Sequence, residues 1–433
     1  MSKAPKHVKY QTLDSPIGTK HCHSRWWIIG LLFTAVLINY IHRNNISVAA
    51  VPIMDEFALS ATAAGTLMSA FFWTYTLFQI PSGWAVDKFG LRWTYGLAFV
   101  TWSLSSAAMG LARSFGQILG LRMVLGFGQA AAQPVSLSYI RAHFKESEQG
   151  LPTGLYISGM MVGPAAGGFV GGVMLEALGW REMFVLTGLV PCVWVVAWML
   201  MAPRGRPAPR TRSLPPEAEI PYRKLFSSPV VAGITITAFF YSYYWYFCMS
   251  WLPSYLVMER GFSFLEMGVY TAVTYLSMAV VAPLAGQFAD WWILRTGRAV
   301  FVRKAFIIAG FLIGSTIVLI NSVDSAELAV AILVIGSAGI GLASANYWAL
   351  TQAIAPRALI GRAIGFQNTV SNLAGICAPV LTGVLIERSG NFGWPIAFAA
   401  ASLWIAALSY GVLLRESRAE EIRTMFLSPT SAG

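Results

Sequence analysis

Long apolar runs recur along the whole chain, separated by short stretches holding Gly, Pro and charged residues. Runs such as Trp26 to Ala50, or Ala305 to Ile320 with its flanks, approach the ~20 residues that an α-helix needs to cross ~30 Å of hydrocarbon. Backbone N–H and C=O groups inside hydrocarbon must be satisfied within the protein, so continuous runs of this length predict helices. Twelve spans follow: 26–50, 62–84, 94–112, 116–140, 151–175, 183–202, 229–257, 266–289, 300–320, 328–350, 361–386 and 395–414. The predicted fold class is an all-α polytopic membrane protein.

One polar interruption stands apart. Residues 203–228 are rich in Pro, Arg and Glu and lack apolar periodicity, so they predict a linker between six spans and six. The expected organisation is a tail over 1–25, a six-helix half over 26–202, the linker over 203–228, a second half over 229–414 and a tail over 415–433. The halves echo each other. The loop after span 2 reads Gly83-x-x-x-Asp87-Lys88-x-Gly90-x-Arg92, and the loop after span 8 reads Gly286-x-x-x-Asp290, followed by Arg295 and Arg298. Two parallel halves of a rocking transporter produce such a repeat.

Composition narrows the class. At 433 residues the chain could form several soluble domains, but 56% hydrophobic residues and only 11% charged ones exclude that. Most of the 30 Lys and Arg lie on the side shared by the tails and the linker. That side is therefore expected to be cytoplasmic, with both termini inside the inner membrane. Orientation thus accounts for the net charge of +11 without nucleic acid, and anionic lipid headgroups are the expected partners of these loops. The polar first 25 residues and the length of span 1 argue against a cleaved signal peptide. Cys22, Cys192, Cys248 and Cys377 are scattered, and His21-Cys22-His23 sits on a tail, so no disulfide framework or metal site is expected. With no phosphate loop, nucleotide motif or nucleophile elbow, neither an enzyme, an ATP-driven pump nor a cofactor is expected.

Charge inside the spans is the informative exception. Away from the span ends there is no Asp or Glu, yet Arg43 and Arg122 are there. An ionised group in hydrocarbon costs several kcal/mol unless a counter-charge meets it. A mobile anionic solute supplies that charge, so the expected partner is a small organic anion.

The loop Gly83, Asp87, Lys88, Gly90, Arg92 resembles the signature of the major facilitator superfamily, with Leu91 where a second basic residue is usual. Asp can cap a helix N-terminus while Lys or Arg meets helix C-termini, so these residues and Asp290 are expected to form a conformational latch. Within the superfamily the chain resembles the anion:cation symporter family, in Asn39-Tyr40-Ile41-His42-Arg43, Ser69-Ala70-Phe71-Phe72-x-x-Tyr75, Gln79-Ile80-Pro81-x-Gly83, Trp251-Leu252-Pro253-x-Tyr255-Leu256, Trp348-Ala349-Leu350 and Gly365-x-x-Asn368. That family carries hexuronates, aldonates and other organic anions. The resemblance implies alternating access, import and a monomer. It also implies that Arg43 grips a carboxylate through its planar fork, with Tyr40, Tyr75, Trp348 and Asn368 completing the substrate site. Arg122, in Arg122-x-x-x-Gly126-x-Gly128, resembles an arginine tied to coupling.

Two departures bear on coupling. His42 stands where the family has an aspartate, and Gln129 stands where it has a glutamate. Either His42 carries a coupling proton, or no proton is coupled and the carrier exchanges anions or works as a uniporter. Gln129 and Gln133, with Asn346 and Asn372, give a neutral hydrogen-bonding lining suited to a polyhydroxylated acid. The rival outside transport is a membrane receptor that binds the anion without moving it.

Overall fold

The computed structural model describes residues 20–145, 148–204, 228–354 and 360–414. The N-terminal tail up to residue 19, most of the linker and the C-terminal tail lie outside the described residues. The first half comprises α1 (Lys20–Val48), α2 (Ala50–Phe57), α3 (Ala61–Met109), α4 (Phe115–Gln129), α5 (Ala132–His143), α6 (Gly150–Leu178), α7 (Trp180–Leu189) and α8 (Val193–Met201). The second comprises α9 (Pro229–Met258), α10 (Phe264–Thr296), α11 (Ala299–Gly314), α12 (Ala326–Ile354), α13 (Ile360–Ser389) and α14 (Gly393–Leu413). Among the described residues there are no strands.

Among the described residues, eight helical stretches are long and apolar enough to cross a membrane on those grounds alone. The rest of the bundle departs from simple rods for identifiable reasons. Spans 2 and 3 are run together as α3 and reverse at Gly90, whose φ of 81° favours glycine. Span 4 is broken between α4 and α5. Pro134 has no N–H to offer the carbonyl of Ala130 and its ring crowds that carbonyl, so the helix restarts at Ala132. Span 6 likewise resets through a 3₁₀ turn at Val190–Cys192, which contains Pro191. Serine caps start α3, α4, α9 and α10, each hydroxyl accepting a backbone N–H of the first turn.

The turn around residue 90, the end of α5 at His143, the start of α6 at Gly150, the end of α8 at Met201 and the start of α9 at Pro229 share one face, here the basic face; the turns near 58, 112, 179, 261 and 390 share the opposite, far face. Contacts between the halves lie mainly toward the far face. There α6 packs on α10, with Gly168 against Thr271 and Gly172 against Gly268; α3 packs on α13, with Gly65 against the Pro379 carbonyl and Gly383 against the Ala61 carbonyl. A Cβ at Gly65 would lie 2.3 Å from the Pro379 oxygen, so only glycine permits this approach. Nearer the basic face, Asn368 Nδ2 of α13 donates to Gln79 Oε1 of α3 at 3.2 Å.

Candidate functional site

Arg43 lies in the last third of α1 and is 7% exposed. Four aromatic rings surround its guanidinium carbon. Their centroids lie 4.4 Å (Phe71), 4.8 Å (Tyr40), 4.9 Å (Tyr75) and 6.0 Å (Phe72) away. Local spacing explains the cage: Tyr40 is three residues from Arg43 on one helix face, while Phe71 and Tyr75 are one turn apart on α3 and stack at 5.1 Å. Gly163 of α6 gives Tyr40 its room, because a Cβ there would come within 2.4 Å of the tyrosine Cβ. A cation–π contact stabilises a guanidinium by about 0.5–2 kcal/mol, more as the site is desolvated, but it does not neutralise the charge. The Nη2 of Arg43 reaches Asn39 Oδ1 and Gln129 Oε1 only at 3.5 Å, the outer limit of a hydrogen bond. Among the described residues no carboxylate forms an ion pair with Arg43. The guanidinium is therefore buried with no ion-paired carboxylate among the described residues.

Gln129 ends α4 fully buried, its Nε2 donating to the Asn39 carbonyl at 3.1 Å. It brings an amide, not a charge, to the guanidinium. Arg122, though of the same residue type as Arg43, is used quite differently. Its Nε donates to Leu67 O at 3.2 Å, Nη2 to Met68 O at 3.1 Å and Nη1 to Arg43 O at 3.4 Å. Those bonds tie α4 to α3 and α1. Phe71 lies between the two cations, 5.4 Å from the Arg122 guanidinium carbon.

His42 precedes Arg43 by one position and faces elsewhere. Its Nε2 donates to the Thr187 carbonyl of α7 at 2.7 Å, and Asn45 Nδ2 donates to Thr187 Oγ1 at 2.8 Å. A carbonyl only accepts, so the bond defines the Nε2–H tautomer. His42 thus packs against span 6 of its own half.

Of the remaining expected residues, Asn368 joins the site through Gln79, one turn along α3 from Tyr75. Trp348 of α12 is partly buried and meets Tyr347 edge-on at 5.1 Å. Tyr347 in turn packs on Tyr241 at 4.9 Å. Among the described residues no ring contact or hydrogen bond joins Trp348 to the Arg43 cage. At the basic face, Gly83 and Lys88 lie in α3, with Lys88 over the Trp84 ring at 4.6 Å, and the Arg92 carbonyl accepts from Trp198 Nε1 at 3.0 Å. Asp87 is exposed, and among the described residues it makes no hydrogen bond or ion pair. Asp290 pairs with Arg303 at 2.8 Å within the second half.

Sequence reasoning met Asn39, Phe71 and Phe72 only as parts of the family motifs, without a role in the site, and passed over Tyr246. Tyr246 of α9 packs edge-on to Phe72 at 4.6 Å and lies within electrostatic reach of Arg43, bringing the second half to the cage. It belongs to an aromatic run from Phe239 to Phe247, where no period separates a site residue from packing.

Two pseudo-equivalent six-helix halves are the architecture of a membrane transporter. The Major Facilitator Superfamily profile matches residues 32–379, and the chain belongs to that superfamily. A D-galactonate transporter of Escherichia coli O6:H1 is 30% identical, covering 93% of this chain and 98% of that protein. A hexuronate transporter of Bacillus subtilis is 29% identical, covering 88% and 93%. Among solved structures, the D-xylose–proton symporter superposes with a TM-score of 0.73 at 16% identity, covering 91% of this chain and 99% of that one.

Proposed function

We propose that this transporter carries a small organic anion, a polyhydroxylated sugar acid, across the cytoplasmic membrane. The observation that carries this reading is Arg43: a buried guanidinium caged by four rings, with no ion-paired carboxylate among the described residues. The solute's carboxylate docks on its fork, with Tyr40 and Tyr75 as hydroxyl donors beside it. Trp348 and Asn368 meet the hydroxylated remainder from the second half. A single available guanidinium favours one carboxylate over two, because Arg122 is already bonded to three carbonyls. The names of the galactonate and hexuronate relatives support the same substrate class.

The basic face lies in the cytoplasm, as the Lys and Arg excess directs, and net movement is import by a monomer. The Gly83–Arg92 loop, with Asp290 in the other half, latches the basic face when the halves close there. A second reading, exchange of anions without proton coupling, draws support from His42 and Gln129. His42 is bonded to Thr187 away from Arg43, and Gln129 cannot release a proton.

Uptake of sugar acids and aromatic acids into proteoliposomes, with and without an inward proton gradient, tests both readings. Accumulation driven by the gradient establishes symport. Counterflow indifferent to the gradient establishes exchange. Binding without any counterflow sinks the transporter reading in favour of a receptor.

A further inference from the structure

Two carboxylates cross from one half to the other, and they do so at equivalent places. Glu176 is the third residue from the end of α6, and Glu387 is the third from the end of α13. Each is followed three residues later by a glycine of positive φ, Gly179 at 92° and Gly390 at 72°. Each carboxylate accepts a backbone N–H at the start of a helix in the opposite half. Glu176 Oε2 accepts from Phe264 N, the first residue of α10, at 3.0 Å. Glu387 Oε2 accepts from Thr62 N, the second residue of α3, at 3.3 Å.

The chemistry of these contacts is directional. A glutamate near the C-terminus of its own helix faces the negative end of that helix's dipole, while the N-terminus of another helix offers unsatisfied N–H groups and partial positive charge. Ser60 and Ser263 cap those same helices but each supplies only one acceptor. The foreign carboxylate satisfies one further N–H of each first turn. If the halves part at the far face, both N–H groups lose this acceptor and both carboxylates are left at the unfavourable end of their own helices. The contact therefore exists only in the state closed at the far face.

We infer that Glu176 and Glu387 are a symmetric pair of far-face latches that bias the transporter toward the state open at the basic face. Beneath the first of them, Thr271 is fully buried against Gly168 and becomes reachable only when α6 and α10 separate.

The test is the rate at which a membrane-impermeant maleimide labels a single cysteine at Thr271→Cys, in purified protein in nanodiscs, after Cys22, Cys192, Cys248 and Cys377 are replaced by Ser. Both carboxylates are exposed, so the expected effects are modest: about threefold faster labelling for Glu176→Ala or Glu387→Ala, and about tenfold for the pair. Sugar-acid counterflow by the variants confirms folding. Phe264→Pro removes the donor instead of the acceptor at a helix position that tolerates proline. In that background Glu176→Ala adds nothing, while Glu387→Ala keeps its threefold effect. Labelling unchanged in the double variant, or a full Glu176→Ala effect on top of Phe264→Pro, overturns the proposal.

Discussion

Replacing Gln129 by Glu puts a carboxylate where an amide oxygen now lies 3.5 Å from Arg43 Nη2. At an effective dielectric constant of about 20, unit charges at that separation attract by roughly 5 kcal/mol. Burying the new carboxylate takes back part of this. The surplus is set against the charge-assisted bond a solute carboxylate makes to the same fork, about 1.5–3 kcal/mol. The introduced carboxylate would thus act as a tethered competitor, and solute affinity at pH 8 should fall by about 10- to 150-fold. Isothermal titration of the purified proteins at pH 8, with an aldonate as probe, reads the effect. Equal affinity in Gln129→Glu and parent at pH 8 would falsify the assignment of Arg43 as the solute's counter-charge.

Arg43→Lys keeps the charge but loses the planar fork, and binding should weaken at least tenfold in the same titration. Arg122→Gln removes three bonds from a buried cation, so thermal unfolding should move down by several degrees, corresponding to about 3 kcal/mol. His42→Gln retains a donor for the Thr187 carbonyl, and counterflow at pH 6 and pH 8 should match the parent; a flattened pH profile in this variant would instead identify His42 as the proton carrier. At the far face the Arg181 guanidinium bonds Glu56 and holds its carboxyl below the ordinary value of 4.5, with Trp180 Nε1 donating to the same group. A lowered folded pKa contributes stability above the unfolded value and loses it as pH falls through the folded one. The drop in unfolding temperature between pH 6 and pH 4 should accordingly be smaller in Glu56→Gln, and an identical drop would deny the pair any role.

The spans were legible because uninterrupted apolar length leaves little choice but helix in hydrocarbon. Breaks inside them were harder to read. Pro134 and Pro191 mark the resets in spans 4 and 6, yet Pro81, Pro164, Pro253 and Pro379 sit within continuous helices, so proline alone does not locate a break. Arg43 stood out because a charge in an apolar run has few explanations. His42 was harder, since adjacent residues on a helix point about 100° apart and sequence proximity to Arg43 says nothing of a shared environment. The cage rings were hidden for a different reason: in a chain with 26 Phe, 16 Tyr and 16 Trp, an aromatic carries no signal until the partner it faces is known. Arg122 shows the same limit, because its carbonyl acceptors leave no mark in the sequence.

The unneutralised Arg43 also has an electrical consequence. With a monovalent anion docked as proposed, the Arg43 charge is cancelled and the reorienting unit carries only the charge of Arg122. Empty, the same unit moves with one further positive charge, which is worth about 2.3 kcal/mol per 100 mV if carried through the whole field. An inside-negative voltage then holds the empty carrier's charge toward the cytoplasm and slows its outward return. Swapping one monovalent anion for another never visits that more highly charged empty stage, so exchange should be less sensitive to voltage than net movement.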